Sequence, residues 1–112
     1  MENKIIDSQV EKIIEDLIEG KLTRAGNRFQ NCPDKEYLIS MQRVWDSLIR
    51  IYGEVKGYKP RKIEILEDLY LCEWCINLQN KSIYIQVYLT TSNARIIRFD
   101  FTKGSIPQNS FD

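Results

Sequence analysis

Apolar residues recur at steps of three and four through the first half of this chain, and beyond Gly53 they recur at steps of two. That change of period predicts helices followed by strands. Ile6, Val10, Ile13, Ile14, Leu17 and Ile18 fall on one face of a first helix, while Glu11, Glu15 and Glu19 turn toward water. Ser8 and Glu11 have the spacing of a capping box, although a start one turn earlier fits equally, and Gly20 supplies a stop. Residues 22–30 predict a short second helix that buries Leu22, Ala25 and Phe29, with Gly26 in its middle costing about 1 kcal/mol relative to Ala. Asn31-Cys32-Pro33-Asp34 breaks the pattern, and Asp34 is placed to accept the first amides of a third helix. Its stripe is long, running through Tyr37, Leu38, Met41, Val44, Trp45, Leu48, Ile49 and Tyr52 to a stop at Gly53.

Beyond Gly53 the alternation predicts strands over residues 54–66, 69–79, 82–90 and 94–102, and their short connectors imply an antiparallel meander. One face collects Ile63 and Ile65, then Tyr70, Cys72, Trp74, Ile76 and Leu78, then Ile83, Ile85, Val87 and Leu89, then Ile97, Phe99 and Phe101. Residues opposed across a ladder must point to the same side of the sheet, so the register is constrained by parity. A two-residue turn at Glu67-Asp68 pairs Ile65 with Tyr70, and one at Asn80-Lys81 pairs Trp74 with Val87 and Ile76 with Ile85. An odd loop at Thr91-Ser92-Asn93, with Asn93 in the left-handed conformation, pairs Val87 with Ile97. Gly57 to Pro60 should bend or bulge the first strand. The expected fold class is therefore α+β: N-terminal helices packed on a four-stranded antiparallel meander sheet. One domain over residues 1–103 would be followed by a tail at 104–112, where Gly104, Pro107, Asn109 and Ser110 show little periodicity.

Composition narrows the partners. The chain has 112 residues, 43% hydrophobic and 29% charged, which suits a single globular core. Sixteen basic and sixteen acidic side chains cancel, so no general positive field favours nucleic acid or anionic lipid, and neither is expected as a partner. The local cluster Lys56, Lys59, Arg61 and Lys62, with Arg50 nearby, reads as a solvated strand edge. No signal-peptide pattern or bilayer-length apolar run is present, and three cysteines do not make a disulfide framework, so a reducing cytoplasm and free thiols are expected.

With no histidine, His-assisted triads, His-containing zinc sites and the ordinary neutral-pH proton shuttle are excluded. Cys72-Glu73-Trp74-Cys75 has metal-motif spacing, but on a strand the odd separation sends the two sulfurs to opposite faces. No metal or cofactor is expected. The acidic run Glu11, Glu15, Asp16 and Glu19 reads as a solvated helix face, and Trp45 and Tyr52 as packing residues. The sheet face opposite the core is less ordinary. The expected register sets Glu73 beside Tyr88, Cys75 beside Gln86 and Asn77 beside Tyr84, with Arg98 and Asp100 continuing those rows and Leu66, Leu69, Leu71 and Ile96 adding apolar area. Mixed aromatic, aliphatic and charged surfaces of this kind serve protein interfaces, against a bland reading as a solvated sheet face.

Leu17-Ile18-Glu19-Gly20-Lys21, Phe29, Val44-Trp45-Asp46-Ser47-Leu48 and Tyr52-Gly53-Glu54-Val55, followed by alternating strands to Phe101, resemble a bacterial domain family of unknown function. The resemblance, over about residues 8–102, implies a cystatin-like, nuclear-transport-factor-like fold. Its wider superfamily wraps a curved sheet on a long helix around a pocket used for ligands, catalysis or dimerisation, and no catalytic residues carry over.

Two functions are in contention. The first is a non-catalytic protein-binding or interaction domain, homodimeric through Glu73, Tyr84, Gln86, Tyr88, Ile96 and Arg98, with a regulatory or toxin-neutralising role among those that would fit. The alternative is a small-ligand-binding protein or enzyme with a pocket between the long helix and the sheet, near Trp45, Tyr52, Tyr70 and Trp74.

Overall fold

The first helix, α1 (Asn3–Ile18), buries Ile6, Val10, Ile13, Ile14 and Leu17 almost completely. It begins a full turn before Ser8, so the expected capping box falls inside the helix. Ile18, expected on the buried face, is the last helical residue and stays 44% exposed. The stop at Gly20 is a Schellman motif: Gly20 takes φ 72°, its N–H donates to Leu17 O, and the Lys21 N–H donates to Asp16 O.

Residues 22–30 do not form one helix. They make two 3₁₀ turns, Leu22–Arg24 and Gly26–Arg28, that still bury Leu22, Ala25 and Phe29. A Cβ at position 26 would lie 2.6 Å from the Cys32 Sγ, so a larger residue there would displace that side chain. Helix α2 (Lys35–Tyr52) starts from the Asp34 backbone carbonyl, which accepts from the Tyr37 and Leu38 amides; the Asp34 carboxylate makes no cap bond.

The two helices pack on one face of a four-stranded antiparallel sheet, β1 (Val55–Leu66), β2 (Leu69–Leu78), β3 (Ser82–Thr90) and β4 (Ile96–Thr102), ordered β1-β2-β3-β4. This computed structural model describes residues 3–102; the expected boundary at 103 and the tail at 104–112 lie outside the described residues. Between helices and sheet lie the α1 side chains, Phe29, Leu38 and Trp45, with Cys72, Trp74 and Ile76 of β2, Ile83, Ile85, Val87 and Leu89 of β3, and Phe99 of β4. Aromatic rings tie α2 to β4: Tyr37 meets Phe99 edge-on at 6.3 Å and Trp45 meets Phe101 at 5.9 Å. No helix among the described residues is long and apolar enough to cross a membrane.

The first hairpin has the expected register, Ile65 opposite Tyr70 and Leu66 opposite Leu69. Ile65 nevertheless keeps 71% of its surface in water, because it sits near the tip of that hairpin. The other two registers differ. The β2–β3 turn is Gln79-Asn80, closed by Leu78 N–H to Lys81 O, which places Trp74 opposite Ile85 and Cys72 opposite Val87. The shift amounts to two residues along the ladder and preserves every face. Its cause is tertiary: Gln79 N–H donates to Glu54 O and Asn80 N–H to Tyr52 O, anchoring the turn on the α2–β1 junction.

In β4 a bulge at Ile97 intervenes between the pairs Leu89 opposite Ile96 and Tyr88 opposite Arg98. Val87 consequently faces Phe99 rather than Ile97. Ile97 is 39% exposed, whereas Ile96 is fully buried, held by a parallel bridge to Phe29 and by the Gln30 N–H on its carbonyl. The left-handed residue of the preceding loop is Ala94, φ 55°, and not Asn93, whose side-chain oxygen accepts from the Thr90 hydroxyl. In β1 the expected irregularity takes the form of register shifts between Val55 and Gly57 and between Pro60 and Lys62.

Candidate functional site

The face of the sheet turned away from both helices is organised in rows by the three registers. One row reads Lys62, Glu73, Gln86, Asp100 from β1 to β4; the next reads Glu64, Leu71, Tyr88, Arg98; on the other side lie Lys59, Cys75, Tyr84, Thr102. The expected neighbours of Glu73, Cys75 and Asn77 are thereby corrected to Gln86, Tyr84 and Ser82, each displaced by the two-residue shift of the turn.

Glu73, at the centre, has no solvent-exposed surface. Removing a carboxylate from water costs several kcal/mol unless charge and hydrogen bonds compensate. Here Arg61 Nη1 lies 2.8 Å from Glu73 Oε1 and Gln86 Nε2 donates to Glu73 Oε2 at 3.1 Å. Arg61 reaches this position because it is the extra residue of the second β1 bulge, between Pro60 and Lys62. Its guanidinium also lies 6.0 Å from the Tyr84 ring centroid. On the other flank, the Arg98 guanidinium stacks over the Tyr88 ring at 4.2 Å and donates to Asp100 at 2.5 Å. Two tyrosines, two arginines and two carboxylates are thus held together on adjacent strands.

Of the six residues expected at an interface, this face brings together Glu73, Tyr84, Gln86, Tyr88 and Arg98. Ile96 is not among them, because the Ile97 bulge turns it into the core. Arg61 was missed by sequence reasoning, which grouped it with Lys56, Lys59 and Lys62 as a solvated edge. Pro60, which cannot donate to a ladder, was the one local signal of a bulge beside it.

The four residues of the alternative pocket do not converge on one cavity. Trp74 is buried against Tyr58, ring centroids 6.1 Å apart, with its Nε1 lacking a hydrogen-bond partner. Tyr52 lies beneath the Lys81 ammonium, and Tyr70 is half-buried near the β1–β2 hairpin tip. Trp45 alone of the four lines an open groove of about 350 Å³, together with Ile18, Asp46, Ile49, Glu54 and Val55.

The cysteines show little prospect of chemistry. Cys72 and Cys75 point to opposite faces of β2, and burial, with the charge of Asp7 adding to it, pushes the Cys72 thiol up to about 12. A scan of protein-family models matches no family to this chain, and a search of curated proteins finds no match.

Proposed function

We propose that this protein is a non-catalytic interaction domain whose open sheet face binds a second copy of the same chain. The observation that carries this reading is Glu73, a carboxylate wholly withdrawn from water on a sheet face that neither helix covers. Arg61 and Gln86 offset its desolvation, and a merely solvated face has no need of a carboxylate held in this way. Tyrosine and arginine presented on a rigid, preorganised scaffold are the side chains that protein association uses most. With strands ~4.8 Å apart and ~3.3 Å per residue, a four-stranded face as long as the nine residues of β3 offers roughly 500–600 Å² in projection, approaching the ~800 Å² per partner of ordinary interfaces. The free cysteines Cys32, Cys72 and Cys75 support a cytoplasmic setting.

Sedimentation equilibrium over a wide concentration range tests the reading. The expected result is self-association that Tyr84→Lys and Tyr88→Lys each abolish while the far-ultraviolet spectrum is unchanged. A strict monomer at several hundred micromolar, or association indifferent to both substitutions, overturns it.

The groove beside Trp45 favours a second reading, a small-ligand-binding protein. Its walls are Ile18, Trp45, Ile49 and Val55, with Asp46 and Glu54 as its acidic groups, and its volume lies at the low end of ligand pockets. Saturable chemical-shift changes of the Ile18 and Ile49 methyl groups on titration with small apolar amines would support it; no response to any such compound would remove it.

A further inference from the structure

The groove beside Trp45 is apolar in its walls and electronegative at its rim, and both properties come from the elements that meet there. Helix α1 ends at Ile18 and α2 at Tyr52, so the last turns of both helices, through Ile18 and Ile49, border the same space. Backbone carbonyls crowd a helix C-terminus and carry partial negative charge, which favours a cation nearby. The last turn of α1 contains no basic residue to answer that charge, and among the described residues lining the groove none is basic. Asp46 and Glu54 add two carboxylates of the same sign.

Both carboxylates are positioned by the fold. The Gln42 side-chain amide donates to Leu17 O of α1 and to Asp46 Oδ1, and its oxygen accepts from the Leu22 N–H, so one residue fixes Asp46 relative to the end of α1. Glu54 follows Gly53 directly, and its backbone carbonyl accepts from the Gln79 N–H. Lys56 takes Oε1 of Glu54, as Gln42 takes Oδ1 of Asp46. Among the described residues the second oxygen of each carboxylate, Asp46 Oδ2 and Glu54 Oε2, has no partner. Ile18 contributes apolar surface that the fold itself leaves in water.

We infer that this groove binds a small organic cation, an aryl- or alkylammonium whose apolar body lies against Ile18, Ile49 and Val55 and whose ammonium meets Asp46 and Glu54. The inference rests on the small-ligand reading proposed above, and it names the charge and size of that ligand. A metal ion does not suit the same groove. Calcium and magnesium gather about six or more oxygen ligands, and among the described residues no three acidic or cysteine side chains come together to hold an ion. The volume of about 350 Å³ equals the share of about a dozen liquid waters. A phenyl ring with a short aminoalkyl arm comes close to filling it. A lysine side chain reaching in from another protein would leave more than half of it to water, so a free amine fits better.

Phenethylamine, phenethyl alcohol and phenylacetate share one shape and differ in charge at neutral pH, so methyl resonances of Ile18 and Ile49 can compare cation, neutral molecule and anion on the intact chain. Phenethylamine should shift both residues saturably, the alcohol should bind roughly tenfold more weakly, and phenylacetate should leave them unmoved. Asp46→Asn and Glu54→Gln, both at exposed side chains, should each lower the preference for amine over alcohol roughly threefold, the size expected of a solvent-screened ion pair. Equal affinity for amine and alcohol, or a preference that neither substitution changes, overturns the cation while the groove stands as a ligand site. Tighter binding of N-acetyl-lysinamide than of phenethylamine overturns the free amine in favour of a lysine from another protein. If none of these compounds moves either residue, the groove reading itself falls.

Discussion

Glu73 shows how much one side chain can depend on a neighbour that local sequence does not reveal. The β1 bulge delivers a charge partner, Arg61, to its carboxylate from an edge that composition alone reads as solvated. Truncating one member of an enclosed ion pair costs about 3–5 kcal/mol, and since Arg61 keeps 39% of its side chain in solvent, Arg61→Ala should cost about 2 kcal/mol in urea unfolding. Glu73→Gln should cost less, because a neutral amide can still bond Gln86 and the guanidinium left without its ion pair keeps 39% of its side chain in solvent. Asp7 presents the opposite case. Its Oδ1 is buried with no hydrogen-bond partner, and desolvation, then the charge of Glu11, raises its pKa above the ordinary 3.8. Cys72 faces it from β2, and Arg61 and Lys62 line the same notch of β1. A raised folded-state pKa means that the native chain binds this proton more tightly than the unfolded chain does. The penalty is absent well below pH 3.8 and grows as pH rises through the folded pKa. Asp7→Asn should therefore stabilise the protein at neutral pH, and denaturation curves of the two proteins should converge in acid.

At the level of elements, the junction between α2 and β1 decides more than a helix end. Gly53 takes φ 94°, and a Cβ there would lie 2.5 Å from the Gln79 Cβ. Gln79 in turn belongs to the β2–β3 turn whose amides bond back to Tyr52 and Glu54. Gly53→Ala should thus cost about 2 kcal/mol or more, combining backbone strain with a steric clash. Gly20→Ala, whose Cβ would meet open space, should cost only about 1 kcal/mol for its left-handed backbone. Equilibrium unfolding of the two variants checks the order. The helices, the four strands and the first hairpin register were legible because period and turn chemistry are local. The β2–β3 turn was not, since Gln79-Asn80 and Asn80-Lys81 are equally good two-residue turns until α2 supplies partners for one of them. Residues 22–30 escaped for a similar reason, as two 3₁₀ turns bury Leu22, Ala25 and Phe29 as well as a helix would.

For the whole molecule, one face of the sheet is spent on the core and the other turns away from both helices. If that second face closes on another copy, mass action couples folding to concentration: the melting temperature should rise with protein concentration and lose that dependence in Tyr88→Lys. A concentration-independent transition in both proteins would count against the dimer. Hydrophobic periodicity alone determined the α+β class, the order of helices and strands, the meander, and the assignment of Glu73, Tyr84, Gln86, Tyr88 and Arg98 to the face away from the core, because side-chain direction along a strand alternates whatever lies beyond it. Tertiary structure alone decided which residues stand opposite one another across β2–β3 and β3–β4, that Ile96 belongs inside, that Arg61 reaches Glu73, and that Trp45 borders a groove without Tyr52, Tyr70 or Trp74. Each of these turns on a bulge or a turn position, where a shift of one or two residues costs little locally and is selected by contacts from distant parts of the chain.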